Sequence, residues 1–451
     1  MFTPSTEQTD QLEHDALALL TRLCRQPSVA AQRTGIAEMA SIVEHELRET
    51  GFATQRFSIP DAPPIVYGEL GGGPYTILLY DHYDVQPAEP FELWQSPPFE
   101  PAVREGALYA RGASDDKGEI AARLTAIRAL RAQLGTLPVT LKYLIEGEEE
   151  IGSPHFDAII APHAQRLSAD GCLWEGDGFE PDGRPELTLG SKGLLYVELE
   201  VRCLARDAHS GNAPILPNAA WRLVQALATL KGPDGHVRIP GFYEDVKRPS
   251  AAQIAALRDQ PDTDAELRAN FGIEHFLDGV SGFALRERSA FTPTCNIAGF
   301  ESGYTGEGTK TVLPARAMAK LDFRLVPDQD PEDILEKMET YLQDQGYGDL
   351  QIRVFSQAEP VVTPLDNPFV RKVAQIAHDF AGQLPSITPI SGGTLPLLGS
   401  LKRRVGVPGL SAPGDPVYRG SGAHAPNEHI RLSDLRDAVR FNTYLFQALG
   451  G

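Results

Sequence analysis

Carboxylates and histidines follow three apolar, strand-like runs of the chain, which lie at 75–80, 139–145 and 171–173. The groups that follow them are His82 with Asp84, the glutamates within 146–150, and Glu175 with Asp177. Two more groups, in glycine-containing segments, are Asp115 with Asp116 and, near the carboxyl terminus, His424. Since open α/β sheets place ligand sites at the carboxyl ends of their strands, we expect these side chains to converge. Two histidines and at least four carboxylates suit two divalent cations that share one carboxylate.

Each group also has an ordinary interpretation when it is taken alone. A His-x-Asp triplet occurs in many solvated loops, and Asp115 or Asp116 could simply be a helix N-cap. The consecutive acids of 148–150 could form a solvated charged run, although their mutual repulsion weakens that interpretation beside a strand and glycines. In the metal-site interpretation, the Asp84 carboxylate accepts the second N–H of the His82 ring and fixes its tautomer.

Composition narrows the class of protein. The chain has 451 residues, which predicts two domains, and its 42% hydrophobic and 23% charged residues are ordinary for a globular protein. The 61 acidic and 41 basic residues give a net charge of −20, which argues against nucleic acid or an anionic membrane as a partner. The four cysteines form no CxxC pair, and the amino-terminal segment has no leader character. We therefore expect a cytoplasmic protein without a disulfide framework.

Periodicity predicts an α/β fold, in which a mainly parallel sheet is sandwiched by helices and interrupted by a smaller α+β domain. Strands and helices alternate in the first part of the chain, the texture changes in the middle, and the alternation then returns. We assign 1–190 and 360–451 to one discontinuous domain and 191–359 to the inserted domain. The segment 153–167 is predicted to be helical, and 250–269 to be a polar helical insertion.

Six motifs occur in the order and approximate spacing of the M20 metallopeptidases. They are YDHYDVQP at 80–87, ARGASDDKGE at 110–119, EGEEEIGS at 146–153, RDAHSG at 206–211, DFRLVP at 322–327 and GAHAPNE at 422–428. The chain resembles this family over nearly its whole length, and within it the branch of carnosinases and cytosolic nonspecific dipeptidases.

This resemblance implies a role for each matching residue. The implied metal ligands are His82, Asp115, Glu150, Glu175 and His424. Asp115 would bridge two divalent metal ions, zinc first and manganese or cobalt as alternatives, and its peptide bond to Asp116 would be cis. Glu149 resembles the general base and, like Asp84, is assigned to the catalytic machinery. Glu175 stands where this branch has Asp, so Asp177 stays open as an alternative ligand.

The resemblance also implies a substrate site and a homodimer. His209 would reach across a dimer to the reacting carbonyl oxygen, which would make the inserted domain both a lid and the dimer interface. Arg324 would grip a substrate carboxylate. Taken alone, the two residues are a surface histidine in a turn and a strand arginine paired with an acid. Gly393 and Thr394 lie in a substrate-binding loop, although Ser391 stands where the dipeptidase pattern has an acid.

The implied activity is hydrolysis of the peptide bond of dipeptides or other short peptides. Two cations would hold one bridging water and lower its pKa, and Glu149 would take its proton and pass it to the leaving amine. One alternative is an N-acyl amino acid amidohydrolase, deacetylase or carboxypeptidase with the same centre. The others are a non-catalytic binding member of the fold and an acidic protein whose carboxylates are merely solvated.

Overall fold

The computed structural model describes residues 6–451, so the first residues of the segment expected to lack a leader lie outside it. The first part of the chain contains the helices α1 (Thr6–Arg25), α2 (Ile36–Thr50), α3 (Lys117–Leu134) and α4 (Phe156–Ile160). Its strands are β1 (Ala53–Phe57), β2 (Ile65–Leu70), β3 (Tyr75–His82), β4 (Ala102–Arg104), β5 (Ala107–Tyr109), β6 (Val139–Glu146), β7 (Gly171–Trp174), β8 (Glu186–Thr188) and β9 (Gly190–Ser191).

The middle and last parts of the chain continue this numbering. The middle part has the strands β10 (Gly193–Arg202), β11 (Ala208–His209), β12 (Asn296–Ser302), β13 (Val312–Leu313), β14 (Arg316–Leu325) and β15 (Gln351–Ala358). Its helices are α5 (Ala219–Leu230), α6 (Ala251–Asp259), α7 (Asp264–Phe271), α8 (Gly282–Phe291) and α9 (Pro331–Asp344). The last part has β16 (Val361–Val362), α10 (Pro368–Ala381), β17 (Ser386–Thr388), α11 (Pro396–Arg404), β18 (Gly409–Ser411), β19 (His429–Arg431) and α12 (Leu432–Gly450).

The main sheet has eight strands in the order β1-β2-β6-β3-β7-β18-β8-β17. Its centre is parallel, from β6 through β3 and β7 to β18, and the antiparallel pairs lie toward one edge and at the junction of β18 with β8. The residues 77–82 of β3 are all buried, as expected for a central strand covered on both faces. Helix α3 packs against α1 and α12, and α12 against α10. The predicted mainly parallel α/β fold is confirmed.

The inserted domain has a hydrophobic core of its own. Its antiparallel sheet, in the order β12-β14-β10-β15, alternates buried and partly exposed residues along β10 and β14, and its buried side chains cluster with those of α5 and α9. That cluster draws on residues between 195 and 350, whereas the main cluster draws on 16–189 and 361–449. One domain inserted into another explains two separate cores, and the predicted boundaries at 191 and 359 remain predictions.

Two segments that the sequence predicts to be helical have different outcomes in the structure. The helix expected over 153–167 is short, because α4 ends at Ile160 and a 3-10 segment with Pro162 near its start follows. The predicted polar insertion is helical and forms α6 and α7. Gln260, just after α6, donates a hydrogen bond of 2.7 Å to the Thr388 hydroxyl on β17, so the insertion contacts the main sheet. No described helix has both the length and the apolar character needed to cross a bilayer.

Candidate metal centre

The carboxyl ends of three neighbouring parallel strands form one side of the candidate site. In the order β6, β3, β7 these strands end at Glu146, His82 and Trp174, and Glu175 follows directly. His82 pairs in register with Glu146, so β3 and β6 stop at the same level of the sheet. The groups that follow the three strands therefore meet, because parallel pairing aligns the ends of the strands.

Asp115 lies between two histidines that are far apart in the sequence. One carboxylate oxygen, Oδ1, lies 2.9 Å from His82 Nε2, and the other, Oδ2, lies 2.8 Å from His424 Nε2. The peptide bond from Asp115 to Asp116 is cis, as the resemblance implied. Asp116 accepts a hydrogen bond of 3.1 Å from the backbone N–H of His82. A carboxylate that meets two histidines with separate oxygens has the placement that a bridging ligand needs.

Glu150 and Glu175 lie on opposite sides of this arrangement. Glu150 Oε2 is 3.1 Å from His424 Nε2, and Glu175 Oε2 is 3.7 Å from His82 Nε2. Asp177, the alternative to Glu175, accepts a hydrogen bond of 3.0 Å from the Thr188 hydroxyl instead. The contacts therefore favour Glu175 as the acid that faces His82.

Three groups of side chains within 6–451 bring three ligand atoms close enough together to hold a cation, and two of them contain a histidine. These two are His82 with Asp116 and Glu175, and Asp115 with Glu150 and His424. Glu175 Oε2 is buried without a hydrogen-bond partner among the described residues, which is costly unless a cation or water meets it. Imidazole nitrogens and carboxylate oxygens are donors that zinc, manganese and cobalt all accept. The residues present therefore fit two divalent cations.

Arg123 neutralises a further acidic group beside the site. This group consists of Asp81, Asp116 and Glu119, whose carboxylates also lie close together. The buried Arg123 guanidinium donates to Asp81 Oδ1 at 2.6 Å and pairs with Glu119. It also donates to the carbonyl oxygens of Tyr80 and Trp174, at 2.8 and 3.2 Å, and so ties the end of β3 to the end of β7. Because the Arg123 guanidinium already supplies a positive charge to this group, the group is a weaker candidate for a metal ion than the two groups above.

The crowding of acids and histidines shifts their pKa values. Burial, together with the carboxylates around it, raises the pKa of Glu149 to about 8. Burial also raises the pKa of Glu175 well above its usual value. Hydrogen bonds to Asp115 and Glu150 raise the pKa of His424 to about 10. Divalent cations would displace the protons of Glu175 and His424, since carboxylates and imidazoles bind metals in their deprotonated forms.

Asp84 supports both His82 and the acidic turn that follows β6. His82 Nδ1 lies 3.0 Å from the backbone oxygen of Asp84 and 3.4 Å from its carboxylate. The carboxylate accepts hydrogen bonds of 3.2 and 3.1 Å from the backbone N–H groups of Glu149 and Glu150. We expected the carboxylate to hold the ring, but the carbonyl makes the shorter contact because the carboxylate is engaged by the turn. Asp84 therefore links the first histidine to the proposed base.

Residues of the inserted domain and the main domain meet at the predicted substrate site. Arg324 Nη1 on β14 donates a hydrogen bond of 2.7 Å to the Thr394 hydroxyl. The carbonyl oxygen of Gly393 accepts a hydrogen bond of 3.0 Å from the backbone N–H of Lys192. Burial and the nearby Arg324 guanidinium lower the Lys192 pKa to about 8. The two predicted halves of the substrate site therefore converge, with a second cationic side chain close to them.

His209 makes its contacts within the inserted domain. Its Nδ1 atom accepts a hydrogen bond of 3.0 Å from the Gly211 N–H, and its Nε2 atom lies 3.3 Å from the Thr311 hydroxyl. The residue is exposed at the end of β11. Its implied role at a carbonyl oxygen would therefore require a second subunit.

Comparison with known proteins explains why these residues lie together. The model of peptidase family M20/M25/M40 matches residues 78–448 of the chain. The chain belongs to this family. It is accordingly a metallopeptidase, and the resemblance seen in its motifs is confirmed.

Relatives match this M20 chain over most of its length. The Beta-Ala-His dipeptidase of Mus musculus is 30% identical over 355 residues, which cover 75% of this chain and 70% of the relative. The Cys-Gly metallodipeptidase of Candida albicans is 29% identical over 460 residues, which cover 96% and 94%. A solved M20 family metallo-carboxypeptidase from Sulfolobus solfataricus has a TM-score of 0.92 at 36% identity, with 97% and 99% of the two chains covered. Human carnosine dipeptidase 1 has a TM-score of 0.82 at 25% identity, with 98% of each chain covered.

Three residues at the M20 centre were not anticipated from the sequence. Gln86 donates hydrogen bonds of 3.0 and 2.8 Å from its backbone and side-chain amides to the Glu150 carboxylate. Lys192 lies beside Arg324, and Glu428 holds the loop that carries Asp115. Gln86 and Glu428 each stand four residues after a candidate histidine ligand in the same motif, which is the signal that could have found them.

Proposed function

We propose that this chain hydrolyses the peptide bond of dipeptides or other short peptides at a centre of two divalent cations. The observation that carries the proposal is the Asp115 carboxylate, whose oxygens lie 2.9 and 2.8 Å from His82 Nε2 and His424 Nε2. The side chains that would hold the cations are His82 and Glu175 on one side, Glu150 and His424 on the other, and Asp115 between them. Zinc is the first candidate, with manganese and cobalt as alternatives, because the donors are imidazoles and carboxylates.

Glu149 would act as the general base. Bound cations would supply Lewis acidity, which polarises a carbonyl group and makes water a stronger acid. Glu149 would take the proton of the attacking water and pass it to the leaving amine. The hydrogen bond from its backbone N–H to Asp84, 3.2 Å long, holds the turn that carries this carboxylate.

Arg324 would bind the substrate carboxylate. A guanidinium can meet a carboxylate with two parallel N–H groups, which fixes the direction of the substrate as well as its place. The Thr394 hydroxyl, 2.7 Å from Arg324 Nη1, would orient the guanidinium, and the backbone at Gly393 would offer N–H groups to the substrate. This arrangement supports a substrate with a free carboxyl terminus close to the scissile bond.

A second candidate is removal of a carboxyl-terminal residue from a longer or N-acylated substrate. The Sulfolobus solfataricus protein with a TM-score of 0.92 is described as a metallo-carboxypeptidase, which favours this candidate. Ser391 also favours it, because the acid found there in the dipeptidase pattern could pair with the free amino group of a dipeptide. A purely binding role is disfavoured, since candidate ligands and a candidate base all lie together.

We also propose that the chain forms a homodimer through the inserted domain, which would act as a lid. Ile215, just before α5, is 79% exposed, and Trp221, in the first turn of α5, is 65% exposed. Aromatic residues such as tryptophan are enriched at protein interfaces. In such a dimer His209 could reach the site of the other subunit. The mass of the protein in solution and the activity of any monomer would be measured together, and a fully active monomer would rule out this role of His209.

We also propose a cytoplasmic location, which the four free cysteines favour because disulfides are rare in the cytosol.

The proposal is tested by assaying chelator-treated protein before and after reloading with zinc, manganese or cobalt. The substrates are free dipeptides, the same dipeptides with a blocked amino group, N-acetyl amino acids and longer peptides. We expect two metal ions per chain by elemental analysis, and metal-dependent cleavage with free dipeptides preferred. Preference for the blocked or longer substrates would establish the second candidate. Protein that binds no metal stoichiometrically would refute both.

A further inference from the structure

Glu428 is a buried acid that belongs to the same loop as His424 but contacts a different part of the centre. Its side chain is fully buried. Each carboxylate oxygen accepts two hydrogen bonds, and all four donors lie in the segment 111–115. The donors of Oε2 are Arg111 Nη1 at 2.6 Å and Gly112 N at 2.9 Å, and those of Oε1 are Ser114 N at 2.8 Å and Asp115 N at 3.0 Å.

The backbone joins the same two segments. The carbonyl oxygen of Glu428 accepts a hydrogen bond of 3.1 Å from the Ala110 N–H. Just beyond it, His429 on β19 pairs with Tyr109 on β5 in antiparallel register. Arg111 donates in addition to the carbonyl oxygen of Pro87, at 3.2 Å. The segment that carries Asp115 is therefore fixed to the loop of His424 and to the end of the motif that carries His82.

This arrangement is more than the packing of a loop. A buried carboxylate is unfavourable unless charged or strongly polar donors compensate it, and here the Arg111 guanidinium and three backbone N–H groups do so. The last of these N–H groups belongs to Asp115 itself, so a shift of Glu428 moves the backbone of the proposed bridging ligand directly. Glu428 is the fourth residue after His424 in the same loop, so the same shift would also reach the second histidine.

We propose that Glu428 is a positioning residue, which sets the place of the Asp115 carboxylate relative to His424 and thereby the affinity of the centre for its two cations. The inference rests on the metal centre proposed above. Side chains that orient metal ligands commonly change metal affinity or activity by about 10–100-fold when they are replaced. Glu428 touches neither the substrate nor the reacting atoms in this role.

The substitution Glu428→Gln tests the proposal because it keeps the shape of the side chain. An amide has one carbonyl oxygen, so in either orientation its NH2 group faces two of the four N–H donors and leaves them unpaired. We expect the affinity for the more weakly bound of two Co²⁺ ions to fall by about 10–100-fold, with a changed visible spectrum of the Co²⁺ protein. Affinities would be measured by competition with a chelator, on the full chain and without substrate.

Glu46→Gln is the matched control. Glu46 is another buried glutamate held by arginines, at 2.6 Å from Arg22 and 2.8 Å from Arg128, but it lies on α2, outside the centre. We expect this variant to lose stability while its Co²⁺ affinity and spectrum stay those of wild type. If Glu428→Gln is too unstable to purify, Arg111→Lys, which keeps the positive charge beside Glu428 but changes its hydrogen bonding, should give a smaller loss of affinity and a similar spectral change.

Wild-type affinity and an unchanged spectrum in Glu428→Gln, at any stability, would overturn the proposal and leave Glu428 a purely structural residue. The same conclusion would follow if Glu46→Gln lost affinity in the same proportion to its stability. These outcomes differ from failure of the proposed function, in which the wild-type chain itself would not bind two ions.

Discussion

Replacing Glu149 by glutamine removes the proposed base with little change of shape. In Glu149→Gln the backbone hydrogen bond from residue 149 to Asp84 Oδ1, which is 3.2 Å long, stays in place. None of the three groups of ligand atoms in the described part of the chain includes Glu149. We therefore expect the variant to bind both cations with an affinity close to that of wild type.

The expected loss of kcat follows from the lack of a substitute base. Glu150 is held by Gln86 amide N–H groups at 3.0 and 2.8 Å and lies 3.1 Å from His424 Nε2, so it is committed to the centre. A positioned general base contributes about 10²–10⁴-fold to a rate, which corresponds to about 2.7–5.4 kcal/mol of activation free energy. Because Glu150 and Glu175 would both be bound to the cations, they would not replace Glu149 as the base, and we expect kcat to fall by roughly 10³–10⁴-fold.

The assay compares kcat with metal content in the same preparations. Glu150→Gln is the matched control, since the same chemical change one residue later should lower metal affinity as well as kcat. The assignment of Glu149 is wrong if Glu149→Gln keeps kcat within about tenfold of wild type at full metal content. It is equally wrong if this variant loses metal as Glu150→Gln does.

Three further predictions concern stability, pH and substrate binding. Arg123→Met should lower the free energy of unfolding by about 3–5 kcal/mol in urea unfolding, because Asp81 loses the buried guanidinium 2.6 Å away. Lys247→Met, at an exposed pair with Asp328, should cost under about 1 kcal/mol. Burial raises the pKa of Glu186 from 4.5 to about 8, so wild type should lose stability as pH rises through that window. The melting temperature of Glu186→Gln minus that of wild type should therefore increase between about pH 5 and pH 9, and a difference that stays constant would contradict this. Arg324→Lys should lower kcat/KM for free dipeptides by about 10–100-fold and much less for carboxyl-amidated ones, and equal losses would exclude a role at the carboxylate.

The strand-end groups could be predicted because their position follows from local sequence. An apolar run ending in His82 or Glu146 must deliver that residue to the edge of the sheet, and parallel pairing then aligns the two ends. The resemblance of the motifs to the family added the more distant candidate ligands, such as His424, that no local pattern identifies. The change of fold type between the two domains could also be predicted, because apolar and polar residues alternate along β10, whereas β3 contains a continuous apolar run that is buried.

Other features could not be predicted, for physical reasons that differ from case to case. The helix expected over 153–167 is interrupted at Pro162, whose effect depends on where the turn begins. Strand β1 was not predicted, because its sequence Ala53–Phe57 is mostly polar and exposed. The role of Glu428 is invisible because three of its four donors are backbone N–H groups, which every residue except proline carries.

The loop of His424 is where the centre most needs such support. The His82 side chain is fully buried at the end of a central strand, whereas that of His424 is 55% exposed in a loop. His424 and Asn427 both adopt positive φ values, 62° and 63°, which few residues other than glycine favour. Such a conformation persists only where surrounding contacts hold it, and the four hydrogen bonds of Glu428 provide them directly after Asn427. The acid that anchors the Asp115 segment therefore also stabilises the strained loop that presents the second histidine.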